Sequence, residues 1–164
     1  MKKDVALFIV LITLITALMG CAIKKPPQKI ELNANGQYTK TSFSLGGNAS
    51  LPKGSILELQ FSEIGKSELI YDKKIQVEEK GIFSWSDTNL DTSKDYSIDL
   101  VFNPRKQSEE IQKKYGKNGE YIKDGDFSGL IKNKDGVQVV KKSTSTEKLV
   151  GVKKGGIFYF QSPK

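Results

Sequence analysis

Beyond residue 30, apolar and polar residues alternate with a period of two, and this constrains the chain more than any other feature. Leu57, Leu59 and Phe61 alternate with Glu58 and Gln60, and Tyr96, Ile98, Leu100 and Phe102 alternate without a break. Phe43 and Leu45 share a face within Tyr38–Leu45, Ile75 and Val77 flank Gln76, and Phe83 and Trp85 fall two apart. Such alternation over a few residues specifies half-buried strands, because successive side chains leave a strand on opposite faces. Leu100-Val101-Phe102 and Ile157–Phe160 are apolar on both faces, the pattern of central, buried strands. Trp85 lies on the core side of its strand, where it is expected to pack between sheets.

Turn chemistry separates the runs. Asn35-Gly36, Pro52-Lys53-Gly54, Lys80-Gly81, Asn118-Gly119, Asp135-Gly136 and Gly155-Gly156 are turn-type sequences, and Gly46-Gly47-Asn48 reads as a loop. One segment departs from the two-residue period. Ser108 suits a helix N-cap, Glu109 and Glu110 suit the first turn, Lys113 and Lys114 the last, and Gly116 the position just past the end. Ile111 and Tyr115, four apart, would pack on a sheet. The expected fold is mainly β: an antiparallel sandwich with one short helix near 108–115. Its 164 residues fit one domain, large enough to bury a core without a metal or disulfide staple.

The first twenty residues follow a different rule. Lys2 and Lys3 precede an apolar run from Val5 to Met19, of about 15 residues, which ends at Gly20 and the lone Cys21. A bilayer-spanning helix takes about 20 apolar residues, and Lys24, Lys25, Pro26 and Pro27 stop this run first. Leu18-Met19-Gly20-Cys21 resembles the lipobox of bacterial lipoproteins, although Met19 replaces the commoner Ala or Ser. The resemblance implies removal of a signal helix, residues 1–20, before Cys21, and a diacylglyceryl group on the Cys21 sulfur. Two acyl chains hold a protein stably on a bilayer, which places the domain at the extracytoplasmic face of the cell membrane. Residues 21–35 are expected to form the lipidated Cys and a flexible tether, with Pro26-Pro27 keeping it extended, and 36–164 the β domain. Lys24, Lys25 and Lys29 would sit near headgroups. A second resemblance covers roughly residues 38–103. Leu51-Pro-Lys-Gly-Ser, then Gly81-Ile-Phe and Asp95-Tyr-Ser-Ile-Asp-Leu, are similar to Ig-like or transthyretin-like surface modules, which implies a sandwich and no particular activity.

Composition narrows the chemistry. Without His there is no Ser-His-Asp triad or His-bearing zinc site, and one Cys allows no disulfide framework. The adjacent pairs Glu78-Glu79 and Glu109-Glu110 point their carboxylates apart, so neither forms a convergent acid–base pair. No enzyme activity, catalytic residue or cofactor is expected. Asp124-Gly-Asp126 and Asn133-Lys-Asp135 are oxygen-rich but lack the calcium-loop spacing, and read as turns, so no metal site is expected. The chain carries 26 Lys and Arg against 19 Asp and Glu, and Arg105 is the only Arg. That favours no nucleic-acid reader, since base and phosphate forks prefer Arg. The pairs Lys73-Lys74, Lys113-Lys114, Lys141-Lys142 and Lys153-Lys154 could form a face for an anionic wall polymer. The expected role is a non-catalytic binding module of the cell envelope, partnered by membrane lipid through Cys21. Two alternatives stay open: a small-ligand binder with an apolar pocket, and an assembly protein that pairs a β-edge with another envelope protein.

Overall fold

The computed structural model describes residues 25–39, 41–66, 68–89, 94–125, 128–146 and 156–163. The signal segment and Cys21 lie outside these. The described residues form three sheets and one short α-helix. In chain order the strands are β1 (Gln28–Lys29), β2 (Leu32–Tyr38), β3 (Phe43–Ala49), β4 (Ile56–Glu63), β5 (Leu69–Gln76), β6 (Ile82–Asp87), β7 (Tyr96–Phe102), β8 (Ile122–Lys123), β9 (Leu130–Lys132), β10 (Gln138–Ser145) and β11 (Gly156–Tyr159). The helix, α1, is Glu109–Tyr115, and short 3-10 turns occupy Glu79–Gly81 and Pro104–Lys106.

Two antiparallel sheets carry the fold. One has the order β5-β4-β7-β10-β9 and the other β11-β2-β3-β6, while β1 and β8 form a small parallel pair. The alternating apolar residues meet between them. Leu57, Leu59, Phe61, Ile98, Leu100 and Phe102 of the first sheet share one core cluster with Leu32, Phe43, Leu45, Phe83 and Phe158 of the second. Phe43 and Phe61 touch edge to face with centroids 5.3 Å apart, and Trp85 reaches both rings at 5.8 and 5.9 Å. The layering is sandwich-like. Helix α1 covers the core near the end of β7: Ile111 and Tyr115 are buried, and the Tyr115 ring meets Phe102 at 5.3 Å. Ser108 occupies the N-cap position without a side-chain cap bond, and Gly116 ends the helix at φ 83°.

Several expectations need correction. The tether boundary expected at residue 35 falls inside β2, and Ile30, Leu32 and Ala34 are buried, so folded structure begins by Gln28. Tyr38–Leu45 is a hairpin rather than one strand. The Thr39 N–H donates to the Ser42 carbonyl at 2.8 Å, and the Ser42 N–H to Thr39 Oγ1 at 3.0 Å. Ile157–Phe160 belongs to an edge: Ile157 and Tyr159 are each 66% exposed, while Phe158 and Phe160 are buried. Asn35-Gly36 and Gly46-Gly47 are not turns but lie within β2 and β3.

These strand glycines have a steric explanation. A Cβ on Gly36 would stand 2.1 Å from the Phe158 ring, and one on Gly47 would stand 2.0 Å from the Asn33 carbonyl and 2.7 Å from the Phe83 ring. Both glycines therefore serve as floors for aromatic rings, a use of Gly that weakens a strand locally but permits close approach. We expect Gly36→Ala to destabilise the fold by about 1–3 kcal/mol, the usual cost of overpacking, in urea unfolding. The cost should shrink in a Phe158→Ala background, because the ring is the nearest obstacle. An equal cost in both backgrounds would show that the ring is not the cause.

Candidate functional site

Leu18, Met19, Gly20 and Cys21 lie outside the described residues, so the anchor end is defined by where the chain enters the fold. The Lys25 ammonium donates to the Lys113 carbonyl at the end of α1. The Gln28 N–H donates to the Tyr121 carbonyl at 2.6 Å, after which Gln28 and Lys29 pair with Ile122 and Lys123. Lys25, Lys113 and Lys117 rim an open cleft of about 480 Å³ together with Glu109 and Glu120. This corner is dense in lysine but mixed in sign, and Lys29 is already bridged to Glu31 at 3.0 Å.

Among the described residues, adjacent strand lysines do not share a face. Lys141 and Lys142 leave β10 on opposite sides, as strand geometry requires. Lys141 bridges to Asp99 at 2.6 Å, whereas Lys142 is buried and donates to Ser162 Oγ at 2.8 Å. Burial holds the Lys142 ammonium below the ordinary lysine range. Lys73 lies over the Tyr71 ring at 4.8 Å, and Lys74 pairs in register with Glu58. Lys153-Lys154 lies outside the described residues.

Several acids are also paired. Glu58, 2% exposed on β4, accepts from the Lys106 ammonium on the adjoining 3-10 turn, and that bond raises Lys106 above its usual value. Glu79 bridges to Lys53 at 2.6 Å. Glu109 and Glu110 sit in the first turn of α1, and the Asn133 side chain closes the β9–β10 turn by accepting from the Asp135 and Val137 N–H groups. Among the described residues, no group of three or more His, Cys, Asp and Glu is placed to hold a metal. The Tyr71 hydroxyl donates to Asp87, which joins β5 to β6 across the open edge of the layers. Burial, helped by Asp87, pushes Tyr71 up to about 12, and the Tyr71 bond holds Asp87 below the usual carboxylate range.

Three surfaces remain. A cleft of about 410 Å³ opens between β10 and β11, lined by Ser143, Thr144 and Ser145 opposite Ile157, Phe158 and Tyr159. Strand β6 is an edge without Lys or Pro, unlike the edge β5, which carries Asp72, Lys73 and Lys74. Charges and prolines are common guards of free edges. Finally, the outer face of the β11-β2-β3-β6 sheet presents Asn33, Asn35, Gln37, Asn48, Ser84 and Ser86 together with the exposed Ile82, Ile157 and Tyr159. Sequence reasoning missed this face, although a signal was present: these strands alternate apolar residues with amides and hydroxyls, and almost never with charges.

No family model, curated protein or solved structure matches the chain.

The Tyr71–Asp87 bond sets a pH signature. Tyr71 titrates higher folded than unfolded, so its contribution is whole below about pH 10 and is lost as pH rises through 12. Asp87 titrates lower folded than unfolded, so its contribution is whole above about pH 4 and is lost as pH falls through its folded value. We expect Tyr71→Phe to lower the urea midpoint most between about pH 5 and 10, with the gap to wild type closing at both extremes. A gap constant from pH 3 to 12 would contradict this.

Proposed function

We propose that the chain is a bacterial lipoprotein, cut before Cys21 and held by a diacylglyceryl group on that sulfur at the extracytoplasmic face of the cell membrane. Its β domain, of Ig-like or related sandwich type, acts there as a non-catalytic binding module of the envelope. The observation that carries this reading is the order of features at the start of the chain. A basic pair, an apolar run, Leu18-Met19-Gly20-Cys21 and a Pro-Pro tether are followed almost at once by folded structure. Among the described residues no helix is long and apolar enough to cross a membrane.

The entry point shortens the leash. The Lys25 side chain bonds to the end of α1, and three residues separate Lys25 from Cys21. Fully extended, the four steps from Cys21 to Lys25 span at most about 14 Å. The corner formed by α1, β1 and β8 would then face the headgroups. A module so tethered samples only what lies within a few tens of ångströms of the bilayer, which fits envelope polymers and neighbouring anchored proteins.

The test is metabolic labelling in a lipoprotein-processing bacterium. Wild type should take up palmitate, lose residues 1–20 and sediment with membranes. Cys21→Ala should take up none and remain unprocessed or leave the membrane. Wild type that stays unlabelled, with residues 1–20 intact, would overturn the reading.

A second reading, β-edge pairing with an envelope protein, is favoured by β6, an edge without Lys or Pro whose one charge, Asp87, is committed to Tyr71. A photo-crosslinker at Ser86 should then capture a protein partner in intact cells, and the same probe at Lys74 on the guarded edge should not. Equal capture at both positions would remove the support from β6.

A further inference from the structure

The chain is 27% Asp, Glu, Lys and Arg, near the roughly 25% usual for a globular chain. Strands β2, β3, β6 and β11 nonetheless contain one charged residue, Asp87, and its side chain is committed to Tyr71. The depletion is not a property of β structure in this molecule. The outer face of the other sheet carries Glu58, Lys74, Asp99 and Lys141. One sheet face is therefore neutral while its counterpart is charged.

The neutral face has a defined layout. Register places Tyr159, Asn35, Gly46 and Ser84 in one row across the four strands, about 14 Å from end to end at 4.8 Å per strand. Gln37 lies in the next row beside the exposed Ile157, and Asn48 in the row on the other side beside the exposed Ile82. Each amide offers two donors and two acceptor lone pairs, and each hydroxyl can do either. Tyr159, 66% exposed, presents an amphipathic ring at the end of the row.

Gly46 supplies an independent observation. Unlike Gly36 and Gly47, it has no packing reason to be glycine: an added Cβ would meet nothing nearer than the Phe83 carbonyl at 3.6 Å. Its φ is not in the left-handed range. Glycine in mid-strand is unfavourable, and it often marks a bulge, a tight bend or a place where a ligand or another backbone approaches closely. Gly46 leaves the middle of the face bare.

We propose that this face binds a neutral glycan bearing hydroxyl and acetamido groups, laid along the Tyr159–Asn35–Gly46–Ser84 row. The electrostatics match: an uncharged, hydrogen-bonding polymer covers amides and hydroxyls without stripping water from an ion, whereas a buried unpaired charge would be costly. The Tyr159 ring offers the apolar face of a sugar a surface to stack on, and bare Gly46 gives a ring room to sit close to the sheet. The proposal deepens the reading of the domain as an envelope-binding module and names its ligand class. Glycan binding in solution does not need the anchor, so palmitate labelling and the experiment below can fail separately.

The test is isothermal titration of the full chain in mild detergent with hexamers of N-acetylglucosamine and of glucose. The unfolding midpoint of each variant is measured alongside. Wild type should bind at least one hexamer, insensitively to salt. Tyr159→Ala and Asn35→Ala, both at exposed positions, should each weaken binding at least tenfold with unchanged unfolding midpoints. Gly46→Val should abolish binding while leaving the midpoint unchanged or raised. No heat with either hexamer, binding that survives all three substitutions, or binding only to a polyanion such as heparin would overturn the proposal. So would concentration-dependent self-association abolished by the same substitutions, which would assign the face to a second copy of the chain. A lowered midpoint for Gly46→Val would show that Gly46 is structural and would remove it from the site.

Discussion

The edge-to-face contact of Phe43 with Phe61 is where the two large sheets become one body. Each ring is fully buried, and each gathers neighbours from its own layer: Phe158 stacks on Phe43 at 5.0 Å, and Tyr71 and Tyr96 meet Phe61 at 5.5 and 6.0 Å. Such pairs add about 0.5–1.5 kcal/mol each beyond the area they bury. Their larger effect is geometric. Aromatic rings are thick, and a four-stranded sheet can accept them only where its backbone gives way. Gly36 and Gly47 are two such places, under Phe158 of β11 and Phe83 of β6, and Gly47 also lies against the Asn33 carbonyl.

That dependence explains what could be read in the sequence and what could not. Leu57, Leu59 and Phe61, and Tyr96 through Phe102, announce themselves because alternation is local and each strand is complete within one window. The helix was legible for the same reason, since Ser108, Glu109, Lys113 and Gly116 mark its ends within a few residues. Asn35-Gly36 was not, because a glycine under an aromatic ring and a glycine in a turn look alike until the ring is found, and Phe158 lies near the far end of the chain. Ile157–Phe160 misled for a related reason. A run apolar on both faces implies a central strand only if both faces are covered, and here Ile157 and Tyr159 lie on the outer face of an edge.

The candidate surfaces were still less legible. Sequence analysis sought function in residues that stand out by their chemistry: paired acids, paired lysines and a lone Cys. Strand geometry then separates Lys141 from Lys142, Glu58 is matched by Lys106, and Glu79 is matched by Lys53. What remained unread was an absence. The missing charges of β2, β3, β6 and β11 are visible in the sequence, but they acquire meaning only when the topology lays those four strands side by side and gives them one uncharged outer surface.

The two halves of the proposed role draw on different forces, and so they are separable. Attachment through Cys21 would depend on hydrocarbon burial, with nearby lysines adding an electrostatic share that salt screens over about a Debye length. The neutral face has no such share. Its hydrogen bonds and ring contact operate at short range and are indifferent to ionic strength. A chain with a net charge of +7 is drawn without discrimination to any polyanion around it. On a face without charged side chains, shape and hydrogen bonding, rather than that general attraction, can decide what binds.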